Sequence, residues 1–387
     1  MLNIFAIIFL IGAVQSTILG VGLGIRKENS VANRYLIVIL GLFVFNFIKL
    51  IVDESGFYRQ FSGLIYGDAS IALLYGPLFY FYVRALTTKR SFAKQDLLHF
   101  IPFLVHLAIV FPAYLLDHDA KVRAYEAFLT NGFTRSYQPL LTYGMKIVQY
   151  LSYLILCIFM IKKYKDEIKD HLSNTYRTDL SWLMNLFFVN AGFLAMLFTA
   201  LILHATGFFT MNHHFTRVSY LWDMVLIFTF SIMALRQSPV FQVPENIIEN
   251  SNKPQSDETD KYGSARLEKE TVDSVLKELL EYVENEKPYL DPELTVSTLG
   301  EKISLPRHII SQVINSGLKM NFYSFINGYR IEEAKKMFED TAYKDKNIIE
   351  IAYMAGFTSK SHFNLSFKKA TGLTPKEFRR TIKSNIS

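Results

Sequence analysis

Residues 347–380 read NIIEIAYMAGFTSKSHFNLSFKKATGLTPKEFRR, and the periodicity of this stretch decides how the C-terminal part of the chain folds. Ile348, Ile351 and Ala352 recur at helical spacing and define one apolar face. Gly356 breaks that pattern as a turn glycine does, and Ser359 stands where a helix N-cap belongs. The next helix carries Phe363 and Phe367 on one side and Lys360, Ser361, Asn364 and Lys368 on the other. Gly372 closes it, and Thr374-Pro375 opens another. A short helix with a polar outer face, presented by a tight turn, has the shape that enters a DNA major groove. A plain helical bundle would bury the same phenylalanines, so this pattern alone does not separate the two readings.

Working outward, residues 294–315 (LTVSTLGEKISLPRHIISQVIN) repeat the arrangement. Val296 and Leu299 pack a first helix, and Ser304-Leu305-Pro306 makes the turn. Ile310, Val313 and Ile314 then face inward, while Arg307, His308, Ser311 and Gln312 face outward. Between the two units, Phe322–Glu339 (FYSFINGYRIEEAKKMFE) forms a strong helix pattern with Phe325, Ile331, Ala334 and Phe338 inward. A helix of about 19 residues spans roughly 28 Å, close to the ~34 Å that separates successive major-groove entries.

Taken together, residues 289–380 closely resemble the signature of the AraC/XylS family of bacterial transcription regulators. The resemblance does not reach the first 240 residues, and the sugar-binding cupin domain often found in that family is absent. It implies two helix-turn-helix units (294–315 and 347–370) joined by a long helix. It also implies sequence-specific binding of double-stranded DNA and, for an activator, contact with RNA polymerase. By the same resemblance, base-edge contacts fall to His308, Ser311 and Gln312, and to Ser361, His362 and Leu365. Glutamine suits adenine, and serine is permissive. Three positions depart from the family pattern: Leu365 replaces a polar residue, Gly300 stands where alanine is usual, and Lys319-Met320 brings no glycine before Asn321.

Charge is distributed to match. Residues 358–387 hold Lys360, Lys368, Lys369, Lys376, Arg379, Arg380 and Lys383 against one acid, Glu377, which suits phosphate contact. Residues 237–264 read as an acidic, flexible linker, and the net negative charge continues as far as residue 290. Residues 265–285 form an amphipathic helix with Val272, Val275, Leu276, Leu279 and Val283 on one face. That helix either opens the terminal domain, which thus runs over 265–387, or pairs two chains in a homodimer.

The first 236 residues are of another kind. Half of the 387-residue chain is hydrophobic, and mean hydropathy is +0.18. Seven apolar runs, roughly 1–25, 33–52, 64–86, 97–116, 140–161, 180–203 and 216–235, have the length of bilayer-spanning helices. The loops after the first, third and fifth runs hold Arg26, Lys27, Arg34, Arg84, Lys89, Arg90, Lys94, Lys162, Lys163, Lys165, Lys169 and Arg177. The alternate loops hold Arg59, Lys121, Arg123, Arg135 and Arg217. Basic residues favour the cytoplasmic side, so the N-terminus is expected outside and the C-terminal domain in the cytoplasm, with the chain in a bacterial inner membrane.

The expected architecture is all-α, a seven-transmembrane-helix bundle followed by a cytoplasmic domain of two helix-turn-helix units. The single cysteine, Cys157, excludes an intrachain disulfide and a cysteine-built zinc site. The spans carry no nucleophile elbow, phosphate-cradling loop or paired metal motif, so neither catalysis nor a cofactor is expected. Lys146 and Asp223 each lie about seven residues inside a span, and buried charges of this kind mark functional sites. Either they pair beside a polar pocket including Asn190 or Asn46, or each faces water separately. Lys49, Asp53 and Asp68 read as snorkelling charges near a span end. These features point to a membrane-embedded regulator whose bundle receives an unknown small-molecule or protein signal. The alternative is a membrane-anchored DNA-binding protein whose bundle is only an anchor or partner-binding module, with no ligand.

Overall fold

The computed structural model describes residues 4–88, 90, 92–131, 137–175, 178–208, 213–238, 240 and 269–386. Regular structure among them is helical, and no strand is formed. Residues 241–264, most of the expected linker, lie outside the described residues, as do the side chains of His213 and His214. The chain divides into two compact units: Met1–Lys162 with Leu180–Ile247, and Lys163–Asp179 with Ile248–Ser387.

The first unit contains α1 (Ile4–Ile25), α2 (Ser30–Ser55), α3 (Ala72–Thr87), α4 (Ile101–Tyr114) and α5 (His118–Asn131). Most of α6 (Tyr137–Glu167), α7 (Ser181–Thr206) and α8 (His213–Arg236) complete it. Six stretches are long and apolar enough to cross a membrane: Ile4–Ile25, Ser30–Ser55, Lys94–Tyr114, Tyr143–Asp170, Ser181–Thr206 and Arg217–Arg236. The seventh expected run, 64–86, is α-helical only over the 16 residues of α3, with Pro77 inside. Turns around Gly67 and Asp68 occupy its first part, where an average of hydropathy cannot see them. α3 is nevertheless among the most enclosed helices, burying Leu73, Phe79, Phe81, Tyr82, Val83 and Leu86. Helix α5, polar and short, falls between the apolar runs that the sequence marks.

This unit is apolar on its outside. On α1 the exposed residues Ile4, Ile7, Ile11, Val14, Ile18, Val21 and Ile25 fall at alternating spacings of three and four, so they form one stripe. The other face buries Ala6, Phe9, Ala13 and Leu23. Meanwhile Lys49, Arg84, Asp96, Asn46 and Asn190 are buried. Water-soluble domains expose few contiguous apolar stripes.

The second unit contains α9 (Lys269–Glu286), α10 (Val296–Lys302), α11 (Arg307–Leu318), α12 (Phe322–Glu339), α13 (Ile348–Met354), α14 (Lys360–Thr371) and α15 (Pro375–Ile386). Helix α12 feeds two cores. Its first half gives Phe322, Phe325 and Ile326 to a core with Leu279 and Val283 of α9, Leu299 of α10, and Ile310 and Ile314 of α11. Its second half gives Ile331, Ala334 and Phe338 to a core with Ile351, Phe363 and Phe367. Each fully buried Phe contributes about 1.5–3 kcal/mol of apolar burial. Leu279 and Val283 of α9 are thus packed inside this unit.

Candidate nucleic-acid interface and bundle cavity

Both helix-turn-helix units are fixed by local chemistry. In the first, Thr295 caps α10: its Oγ1 accepts from the Thr298 backbone N–H at 3.1 Å, while Thr298 Oγ1 accepts from the Thr295 N–H at 3.0 Å. The turn after α10 comes so close that a Cβ on Gly300 would sit 2.4 Å from the Leu305 carbonyl oxygen. Alanine does not fit there, so this departure from the family pattern is matched by the shape of the turn. In the second unit Asn347 and Glu350 form a reciprocal capping box on α13, at 2.7 and 2.9 Å. Gly356 turns the chain at φ +90°. Ser359 then caps α14, and Gly372 closes it in the left-handed region.

On the outward face of α11, Arg307 and His308 are exposed, and Ser311 and Gln312 are half-buried. On that of α14, Lys360, Ser361, Leu365, Lys368 and Lys369 are exposed, and Asn364 is half-buried. His362 is turned partly inward. Its Nε2 is hydrogen-bonded to the Tyr323 hydroxyl, and its ring lies edge-on to Phe357 with centroids 5.6 Å apart. Burial, reinforced by the Arg330 charge, pulls its pKa down to about 4. A neutral ring held by its own domain is poorly placed to read a base edge.

Arg330, which no local sequence pattern singles out, is the joint between the two helix-turn-helix units. It is fully buried on α12. Its Nε donates to the Tyr289 carbonyl at 2.7 Å, and Nη2 donates to the Asp291 carbonyl at 2.7 Å and to Ser173 Oγ at 3.1 Å. Nη1 donates to the Ser173 carbonyl at 3.1 Å and to Asn327 Oδ1 at 3.5 Å. All five guanidinium N–H donors are therefore used. A Cβ on Gly356 would approach Arg330 Nε to 2.9 Å, so the second turn closes over the same group.

Ser173 belongs to the segment that joins α6 to α7, which is part of this unit. That segment is bonded into it at several points. The Val296 N–H donates to the His171 carbonyl at 3.1 Å, and Ser173 Oγ donates to the Leu294 carbonyl at 2.6 Å. Asn327 Nδ2 donates to the Ser173 carbonyl at 3.1 Å, and Asn174 donates to Thr358 Oγ1 in the second turn. Ser311 Oγ, expected to face a base, donates to the Asp170 carbonyl at 3.4 Å.

In the first unit, Lys146, Asp223, Asn190 and Asn46 line one cavity of about 680 Å³. Lys146 and Asp223 do not pair with each other. Lys146 Nζ lies 4.9 Å over the Tyr143 ring, and the carboxylate whose field reaches it is Asp68. Lys49, Asp53 and Asp68 line the same cavity rather than snorkelling. Lys49 Nζ pairs with Asp53 at 2.6 Å and Asp68 at 3.4 Å, because α2 and the turns before α3 converge there and shut the ammonium away from any surface. Arg217 makes a two-pronged pair with Glu54 at 2.5 and 2.7 Å.

Comparison with known proteins bears on the second unit. Residues 299–381 match a family model described as a helix-turn-helix domain. A Staphylococcus aureus (strain COL) protein described as an uncharacterized HTH-type transcriptional regulator is 32% identical over 107 residues, which is 28% of this chain and 14% of that protein. The melibiose operon regulatory protein of Escherichia coli (strain K12) is 29% identical over 90 residues, 23% of this chain and 29% of that protein. The C-terminal domain of AraT, a response regulator from Geobacillus stearothermophilus, is 26% identical, with 30% of this chain and 88% of that one covered and a TM-score of 0.25. The chain thus spans only 14% and 29% of the length of the two curated relatives. What the family model and the two curated relatives identify is an AraC-type helix-turn-helix domain at the C-terminal end, shared with HTH-type transcription regulators.

Proposed function

We propose that the chain is a membrane-embedded one-component transcription regulator. Its C-terminal domain binds promoter DNA sequence-specifically from the cytoplasm, and the bundle receives the controlling signal. The observation that carries this reading is the pairing of two capped helix-turn-helix units on one rod, α12, with an N-terminal unit that is apolar outside and charged inside. At 18 residues, α12 spans about 27 Å, which suits two recognition helices in neighbouring major-groove segments. Arg307, His308, Gln312, Ser361 and Leu365 face the bases, and Lys360, Lys368 and Lys369 the phosphates. Ser311, Asn364 and His362 stand at the edge of that face.

In the bilayer, the six long helices and the enclosed α3 make seven crossings, which leaves the basic loops and the DNA-reading domain on the inner side. The segment 163–179 joins α6 to α7 in the chain and is bonded to Arg330, Asn327 and Thr358. It therefore offers a covalent route by which the bundle biases the DNA-reading unit. A topology reporter tests the arrangement. A cytoplasm-active reporter fused after Gln237 is active and one fused within residues 117–137 is silent; the reverse pattern overturns both the topology and the access to DNA.

A further inference from the structure

The cavity of the first unit holds four carboxylates, Asp53, Glu54, Asp68 and Asp223, against three cations, Lys49, Lys146 and Arg217. Glu54 is matched by Arg217. Lys49 sits between Asp53 and Asp68, and Lys146 acts on Asp68. Asp223 is left over. It receives no hydrogen bond and makes no ion pair among the described residues, and its field falls on the hydroxyls of Tyr75, Tyr150 and Tyr220. A carboxylate left without a counter-charge inside an apolar bundle is costly and marks a functional site. Its surroundings are aromatic: Tyr75, Tyr150, Tyr220 and Phe193 line the same space. Aromatic faces attract organic cations. Asn46, 5% exposed and also lining the cavity, has a carbonyl oxygen that receives no hydrogen bond among the described residues. An acceptor wanting a donor, lining the same cavity as an uncompensated carboxylate, suits an N–H-bearing ammonium better than a quaternary one. The volume, about 680 Å³, falls within the range of small-molecule sites.

We propose that this cavity binds a small organic amine in its protonated form, with Asp223 as counter-ion, Asn46 as a second acceptor and the tyrosines as walls for its apolar body. This rests on the reading of the bundle as the signal-receiving part and names the class of the signal.

The test uses the full-length protein in lipid nanodiscs. Its thermal unfolding is followed with butylamine, phenethylamine, the neutral amide N-acetylphenethylamine, the anion 3-phenylpropionate, or sodium chloride at equal concentration. At least one amine gives a saturable rise in melting temperature, and the amide, the acid and the salt bind at least about 30-fold more weakly, the scale expected for losing a desolvated charge pair. Asp223→Asn removes that preference, and Asp223→Glu keeps part of it. No saturable effect from either amine, an amide as effective as its amine, or undiminished amine binding by Asp223→Asn overturns the proposal. Equal protection by sodium chloride also overturns it, because the cavity then takes a plain counter-ion. A transcriptional reporter in cells separates the two levels: if Asp223→Asn alters its output at unchanged protein level while no amine binds, sensing by the bundle stands and the amine does not.

Discussion

Arg330 and Asp223 are both charged groups enclosed by helices, and their surroundings are opposite. Arg330 has every donor taken, by three backbone carbonyls, a serine hydroxyl and an asparagine, and no solvent reaches it. Asp223 has no bonded partner among the described residues and looks into a cavity. A buried charge whose hydrogen bonds are complete is a structural joint, since removing it orphans its partners. A charge left open on a cavity wall does not hold the fold together, so the reason for its presence lies in what the cavity takes up. The contrast also separates two roles: Arg330 ties the two helix-turn-helix units and the segment 163–179 into one body, whereas Asp223, under the proposal above, is kept for an incoming molecule.

The largest effect is expected at the joint. Arg330→Met leaves the Tyr289 carbonyl without its donor, takes one of two donors from the Asp291 and Ser173 carbonyls, and removes five hydrogen bonds from a charged group, which destabilises the second unit by about 3–5 kcal/mol. Hydrogen exchange of the α12 amides in the full-length protein reads this as acceleration by more than about 100-fold. Unchanged exchange would show that Arg330 is not a joint.

Next comes His362. Its folded-state pKa, about 4, lies below the ordinary 6.5, so the folded state favours the neutral ring. Its contribution to stability is complete above pH 6.5 and is lost as pH falls toward 4. At about pH 5 the loss is ~2 kcal/mol. Melting curves at neutral and mildly acid pH measure it, and His362→Gln removes that part of the dependence. If the slope persists in the variant, His362 is not the titrating group.

Ser173→Ala takes away one acceptor from Arg330 and one donor to Leu294, and costs about 1–2 kcal/mol. Under the proposed topology it also shifts reporter output at constant protein level, because it loosens the segment that joins α6 to α7. The smallest effect belongs to the other side of the comparison. Asp223→Asn does not destabilise the ligand-free bundle, since no bond is broken and an uncompensated buried charge is removed. A loss of several kcal/mol on unfolding of the bundle would mean that Asp223, too, is a structural group.

How much is legible in the sequence depends on the range of the interactions. Ser359 as a cap, Gly356 and Gly372 as turn and closing residues, and Phe363 and Phe367 as core all depend on neighbours within a few positions, and the structure places them so. Arg330 reads in sequence as one more helix cation. Its role depends on Ser173, which lies 157 positions away, and no local pattern carries that. His362 looks outward by spacing, but Tyr323, 39 positions upstream, draws its ring inward. Lys49 and Asp68 pass for surface charges because hydropathy locates helices along the chain without saying which faces meet. The run 64–86 reads as one long helix because apolar content outweighs the turn-forming Gly67 and Asp68. The cavity residues Lys146, Asp223, Asn190 and Asn46 are legible as polar intrusions into apolar helices. Their shared cavity is visible only once the helices are packed.

The central claim is that one chain both resides in the membrane and reads DNA sequence. The direct measurement is selection of genomic fragments by the full-length protein in nanodiscs over a range of salt concentrations. Four forms are compared: wild type, Gln312→Ala, the double change Lys368→Ala and Lys369→Ala, and the chain ended after Arg236. The account predicts that the wild type enriches a discrete set of fragments. Gln312→Ala alters the preferred base at one position, by about 1–3 kcal/mol. The lysine pair weakens all fragments alike and lowers the salt slope by about 1–2, and the shortened chain enriches nothing. Enrichment of the same fragments by the shortened chain, or no discrete set for the intact one, would contradict it.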